Sequence, residues 1–230
     1  MLRCFQSSPP ALEHSLQRLA EGLRGQSGME DTLWELEDDL PDDGSNARIV
    51  ANGEANIAEV ARCALTQMEG IGGDSKLRAF DDLLTQLNDV EMPSRRICVL
   101  TNYLGTLYYL AAEIEDRGNA CHLLHGGMGT AERHDALSQF VGAGGILVAT
   151  TAVMVEGFNL PAVTDLVLYD MPRSKVALQG VLGRFDRFGR QTRLNIHVLT
   201  ASNVANSSAS EDLEILHELL ESSHVVQPPK

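Results

Sequence analysis

The sequence predicts an α/β domain of three layers, a parallel sheet with helices on both faces, preceded by a helical linker. Three observations carry this. From Pro93 onward, short continuous apolar runs alternate with amphipathic segments, and such alternation closes into a parallel sheet through right-handed crossovers. Most of the runs are rich in Val, Ile and Leu, as strands covered on both faces must be. Finally, 230 residues with 43% apolar and 22% charged side chains suit one such domain with appendages and exclude two large domains, wholesale disorder and coiled coil.

In chain order, residues 8–24 read as a helix. Ser8 opens it, Pro9 and Pro10 sit in the first turn, and Leu12, Leu16, Leu19 and Leu23 form a stripe that needs a partner surface. The acidic stretch 25–48 reads as a connector with one helical turn around Trp34. Residues 54–69 look helical. Gly70, Gly72 and Gly73 then break the chain before a helix over 74–87, capped by Asp74 or Ser75, with Leu77, Phe80, Leu84 and Leu87 at helical spacing. Strands are expected at 97–101, 120–124, 146–150, 166–169 and 195–199, with helices at 104–117, 130–140 and 174–184 between them. A short acidic helix follows at 211–221. Three regions result: an acidic helical linker (1–73), the α/β domain (74–200) and an acidic tail (201–230).

The net charge of -14 argues against gripping phosphate backbones by bulk electrostatics. The acidity lies in the flanks: residues 94–200 carry 10 basic against 9 acidic groups, so the middle can still contact phosphates locally. No apolar stretch is long enough to span a membrane and no signal peptide opens the chain, so the expected address is cytoplasmic, with no membrane partner. Cys4, Cys63, Cys98 and Cys121 lack CxxC spacing and read as structural thiols, with no metal site.

In a sheet of this kind ligands meet the loops at the carboxyl ends of the strands. Those loops hold Thr101, Asn102 and Tyr103; His125, Gly126, Gly127 and Met128; Thr150 and Thr151, then Glu156 to Leu160; and Asp170, Met171 and Pro172. The last is followed by a helix running into Gly183, Arg184, Asp186 and Arg187. Arginines three apart share a helix face, and planar guanidinium forks suit phosphate oxygens. The plain alternative is a solvated face whose arginines pair with Asp186. Thr150 and the 156–159 loop also read as an ordinary strand-end turn. Asn102 and Tyr103 suit phosphate or sugar contact or a helix cap. His125 reads as structural, since no nucleophile with an orienting acid accompanies it. His122 reads as a strand residue, and Lys76 and Arg78 as surface charges at a helix start, with nucleic-acid contact the lesser alternative.

Together, and in this order, these segments resemble the second RecA-like (P-loop NTPase-like) lobe of superfamily two helicases and translocases, most nearly the Swi/Snf-type bacterial ones. RRICVLTNY is similar to motif IV, LLHGGMGTAERHDALSQF to the segment after it, ILVATTAVMVEGFNL to motif V and LQGVLGRFDRFGRQ to motif VI. The resemblance implies ATP with magnesium, held only when a first RecA-like lobe bearing a Walker A loop joins in cis or in trans. It implies that Arg184 and Arg187 act as catalytic fingers, and that Glu156, Gly157, Asn159, Gln179 and Gly183 lie on the nucleotide side. Thr101, Asn102, His125, Gly126, Thr150 and Thr151 would then meet nucleic acid, DNA or RNA, weakly.

The chain departs from the family pattern where motif VI usually has glutamine, for Gly180 stands there and Gln179 one residue early. It also contains no GxxxxGK[ST] segment and no strand ending in an Asp-Glu pair, so no ATP hydrolysis is expected from this chain alone. The competing expectations are a non-enzymatic interaction module, whose leucine stripes at 12–23 and 77–87 bind a partner protein, and a remnant of a truncated helicase. An independent nucleotide- or sugar-binding enzyme is disfavoured by the lack of GxGxxG and P-loop.

Overall fold

The structure, a computed structural model, describes residues 7–21, 63, 73–88, 95–155, 158–172, 174–185, 193–200, 214 and 217. The expected turn at Trp34 and nearly all of the helices expected at 54–69 and 211–221 lie outside them, as do the side chains of Leu19 and Leu23. In order come α1 (Pro9–Glu21), α2 (Ser75–Asn88), β1 (Ile97–Thr101), α3 (Leu104–Asp116), β2 (Cys121–Leu124), α4 (Thr130–Ala143), β3 (Ile146–Thr150), α5 (Thr151–Val155), β4 (Asp165–Leu168), α6 (Lys175–Phe185) and β5 (Asn195–Val198).

The strands form one five-stranded sheet, all parallel, in the order β2-β3-β1-β4-β5. Side chains of β1 alternate between its two faces. Cys98 and Leu100 join Phe140, Val153, Met154, Leu178 and Phe185 from α4, α5 and α6. Ile97 and Val99 join Phe80, Leu84, Leu107 and Ile114 from α2 and α3 on the other side. The connection from β1 to β2 runs one way along the sheet under α3. The later connections run the other way under α4, α5 and α6, as a single crossover hand requires. The outermost strand β5 departs from the expectation of burial on both faces: Asn195 and Ile196 are exposed because it has a neighbour on one side only.

Local chemistry sets the element ends. Asp74 Oδ1 accepts from the backbone N–H of Lys76 (2.8 Å) and Leu77 (3.1 Å), which opens α2. Ser8 Oγ accepts from Ala11 N–H (3.3 Å) and opens α1. At the α4–β3 turn Gly145 has φ +102°, and a Cβ there would lie 2.6 Å from the carbonyl oxygen of Ala120, so only glycine fits.

The leucine stripe of α2 is not free for a partner protein. Phe80, Leu84 and Leu87 are buried against the chain's own sheet, and Ala11 and Leu16 of α1 are buried as well. Helix α1 rests on α3 closely enough that a Cβ on Gly105 would touch the Ala11 backbone at 3.5 Å. The interaction-module reading therefore loses the α2 stripe as a free surface; of the 12–23 stripe Leu16 is buried, and the side chains of Leu19 and Leu23 lie outside the described residues.

Candidate functional site

Because all the strands are parallel, their carboxyl ends share one edge of the sheet. Between β1 and β4 the chain leaves in opposite directions, to α3 on one face and α6 on the other, and this opens the crevice where doubly wound sheets take ligands. Here the crevice floor is the carboxylate of Asp170, only 7% exposed. Its Oδ2 accepts from Thr101 Oγ1 (2.6 Å), Ser7 Oγ (2.7 Å) and Asn102 N–H (3.1 Å). Its Oδ1 accepts from Lys76 Nζ (2.8 Å), whose ammonium also lies 4.4 Å from the centre of the Tyr169 ring. Burial pushes the Asp170 carboxyl up, but the Lys76 ammonium and these hydrogen bonds outweigh it and hold the pKa below the usual range.

The hydroxyls feeding this carboxylate have a defined direction. Ser7 spends its one proton on Asp170, so the 2.7 Å bond between Ser7 and Thr106 must be donated by Thr106. Thr106 then has none left, and Ser8 donates the second 2.7 Å bond to it while accepting from Ala11. The order is Ser8 to Thr106 to Ser7 to Asp170, a polarised relay ending on the charge.

Two expectations change here. Lys76 is not a surface charge: it is bonded to a buried carboxylate because α2 leans over the carboxyl end of β4. Asn102 does not cap α3. Its side chain donates to Met171 O (2.7 Å), and the N-cap position falls to Tyr103, which makes no side-chain cap bond. Asp170 itself, named in the sequence only as part of a loop, is the hub that went unassigned; its place directly after an apolar run was the signal.

Around this hub the other candidates fall into three groups. Thr101, Thr150 and Thr151 are buried, Thr101 bonded to Asp170 and Thr151 Oγ1 to Thr101 O (3.3 Å), so their side chains face the protein. Thr151 sits on the short helix α5 rather than in a turn. Beyond β2, Gly126 is exposed and His125 half-buried; His125 Nε2 lies 3.2 Å from Tyr108 Oη, and Arg133 bonds to Gly126 O. Burial, aided by the Arg133 charge, lowers the His125 pKa. His122 is a strand residue, its Nε2 3.0 Å from Gly144 O.

The third group lies on α5, α6 and the segment between them. Asn159, Gln179 and Gly183 are exposed, and Arg184 Nη2 donates to Val155 O (2.8 Å), which ties the end of α6 to the end of α5. Glu156, Gly157, Asp186 and Arg187 lie outside the described residues. Among the described residues no group of three or more His, Cys, Asp or Glu could hold a metal ion, and no helix is long and apolar enough to cross a membrane. Burial pushes the Cys121 thiol up to about 12 and raises that of Cys98, in keeping with unreactive structural thiols.

A parallel five-stranded sheet covered on both faces, with its loops gathered at one edge, defines a doubly wound α/β domain. The model of the "Helicase conserved C-terminal domain" matches residues 75–191, just over half of the chain, and the chain belongs to that family, among the superfamily two helicases. It is 27% identical over 125 residues to the "ATP-dependent RNA helicase DBP5" of Meyerozyma guilliermondii, covering 54% of this chain and 26% of that protein. It is 29% identical over 133 residues to the "RNA polymerase-associated protein RapA" of Vibrio campbellii, covering 55% of this chain and 14% of the relative. The match thus spans about a quarter or less of these relatives. The crystal structure of the C-terminal part of the Fun30 ATPase domain shares the fold, with a TM-score of 0.55 and 15% identity over 81% of this chain and 65% of that one.

Proposed function

We propose that the chain is the second lobe of an ATP-dependent nucleic-acid helicase or translocase, completed by a first RecA-like lobe that carries the Walker A loop in cis or in trans. The observation that carries this is the family match over residues 75–191, which runs through every loop at the carboxyl edge of the sheet up to β4, and through α6. The names of the DBP5 relatives, ATP-dependent RNA helicases, support the same class. In this reading DNA or RNA lies along the carboxyl edge, held weakly by Asn102, His125 and Gly126 and by the backbone at Thr101, Thr150 and Thr151. The expected setting is the cytoplasm.

ATP would supply a transferable γ-phosphoryl group, and charge developing on it is what an arginine finger stabilises. Arg184 fits that role chemically: its guanidinium carries five donors, and the bond to Val155 uses one while fixing the side chain beside the α5–α6 edge. Arg187 is assigned as its companion, with Glu156, Gly157, Asn159, Gln179 and Gly183 on the nucleotide side. Magnesium, in this reading, accompanies ATP only when the first lobe completes the site.

The test is reconstitution. The chain alone should show background ATP hydrolysis, and adding a matching first lobe should restore nucleic-acid-stimulated turnover. In the pair, Arg187→Ala should cut turnover about a thousandfold while nucleotide binding changes little, because a finger acts on the transition state. Arg187→Lys should rescue little, since an ammonium lacks the planar fork. Equal turnover of wild type and Arg187→Ala would sink the finger assignment.

A further inference from the structure

We propose that Ser7, Thr106 and Lys76, acting through Asp170, are positioning residues for the β1–α3 loop, so that the segment before the α/β domain is a working part of the nucleic-acid site rather than a linker. The inference rests on the proposed nucleic-acid contact of Asn102 and says what holds that loop in place.

At the crevice between β1 and β4, which in an open sheet receives a ligand, two of the chain's own groups reach Asp170: the hydroxyl of Ser7, just before α1, and an ammonium from α2. Both end on the carboxylate that accepts the Asn102 backbone N–H. The Asn102 side chain in turn holds Met171 O, directly after Asp170. Tyr103 N–H donates to Thr101 Oγ1 (3.2 Å), itself a donor to Asp170, so all three loop residues hang on one buried charge.

The loop conformation therefore depends on groups far from it in sequence: Asp170, 68 positions after Asn102, and through it Ser7, 163 positions before Asp170. Removing a donor weakens the field that fixes Asn102 without touching any residue that faces nucleic acid. Removing Lys76 does the same, and this separates a positioning lysine from a phosphate ligand. A phosphate ligand contributes about one unit to the slope of log affinity against log salt, whereas a lysine bonded to Asp170 contributes none.

The experiment uses the full chain and its Ser7→Ala, Thr106→Val and Lys76→Met variants. Amide hydrogen exchange is read at Asn102 and Tyr103, and affinity for a labelled duplex oligonucleotide is measured by anisotropy across a salt series. All three variants should speed Asn102 exchange severalfold or more and weaken binding about three- to tenfold, with the salt slope unchanged. Global unfolding followed in parallel separates loop release from loss of fold: exchange at Leu100 and Val148 in the sheet should stay protected in Ser7→Ala and Thr106→Val. Unchanged Asn102 exchange in those two variants overturns the inference alone. A slope lower by about one in Lys76→Met overturns the positioning role of the lysine and makes it a phosphate contact. A wild-type chain that binds no nucleic acid overturns the functional reading, and this inference with it.

Discussion

A carboxylate taken out of water stays charged only where donors replace the water, and Asp170 has four of them. Asp170→Asn should therefore destabilise the fold by about 3–5 kcal/mol, since it leaves the Lys76 ammonium half-buried against an amide. Chemical denaturation measures it, and a loss under about 1 kcal/mol would mean that the pair is solvated. Sequence alone could not show this hub, because its partners stand 69, 94 and 163 positions away and nothing in Lys76 distinguishes it from a surface lysine. His125 is partly shielded from solvent, with Nε2 3.2 Å from Tyr108 Oη. Its pKa should titrate by NMR below the ordinary imidazole value of about 6.5, and Arg133→Ala should raise it by removing a like charge. An unmoved titration in that variant would leave burial as the whole cause.

Elements were the most legible level, and the reason is periodicity. Strands β1 and β3 match the expected bounds because every position in each is buried, so the apolar run and the strand are the same residues. Boundaries drift by a residue where the next position is also buried: Tyr169, counted into the run before it, follows β4 as a fully buried residue. Helix α5 was invisible, since five residues give too short a stretch for a 3.6-residue period to show. Helix α1 was legible as amphipathic, but its partner α3 was not, because the contact depends on Gly105 being small enough to admit Ala11. A packing prediction belongs here. Gly145→Ala combines a φ of +102° with a 2.6 Å clash against a backbone oxygen that also bonds Ile146, so nothing flexible can yield. It should cost at least about 2 kcal/mol in thermal or denaturant unfolding. Gly126→Ala, where a Cβ meets nothing within 4 Å, should cost far less, and equal losses would show that the α4–β3 turn can rearrange.

Across the whole molecule two electrostatic terms oppose each other as pH changes. The net charge of -14 at pH 7 makes the folded chain repel itself, and lowering pH towards the isoelectric point near 4.8 relieves that. Against it stand two buried carboxylates at opposite ends of β4. Asp170 is held by Ser7, Lys76, Thr101 and Asn102; Asp165, 1% exposed, is held by His197 and Asn195 (3.1 Å each), Thr164 (2.8 Å) and Arg95 (3.2 Å). For both, burial raises the pKa and these partners more than offset it, so the folded value lies below the unfolded one. A depressed carboxyl contributes stability that is complete above the unfolded pKa of about 4 and is lost as pH falls through the folded pKa. His125, also depressed, subtracts a smaller amount below about pH 6.5, where the unfolded imidazole takes up its proton first. At low salt the melting temperature should therefore hold or rise between about pH 7 and 5, then drop steeply below about 4. Added sodium chloride should raise it at pH 7, where repulsion is largest, and do little near pH 5. Thermal melts across that grid decide the matter. A steady fall from pH 7 to 5 at low salt would mean that histidine protonation outweighs the relief of repulsion, and salt-independence at pH 7 would mean that the flanking acidic charges lie too far from one another to repel.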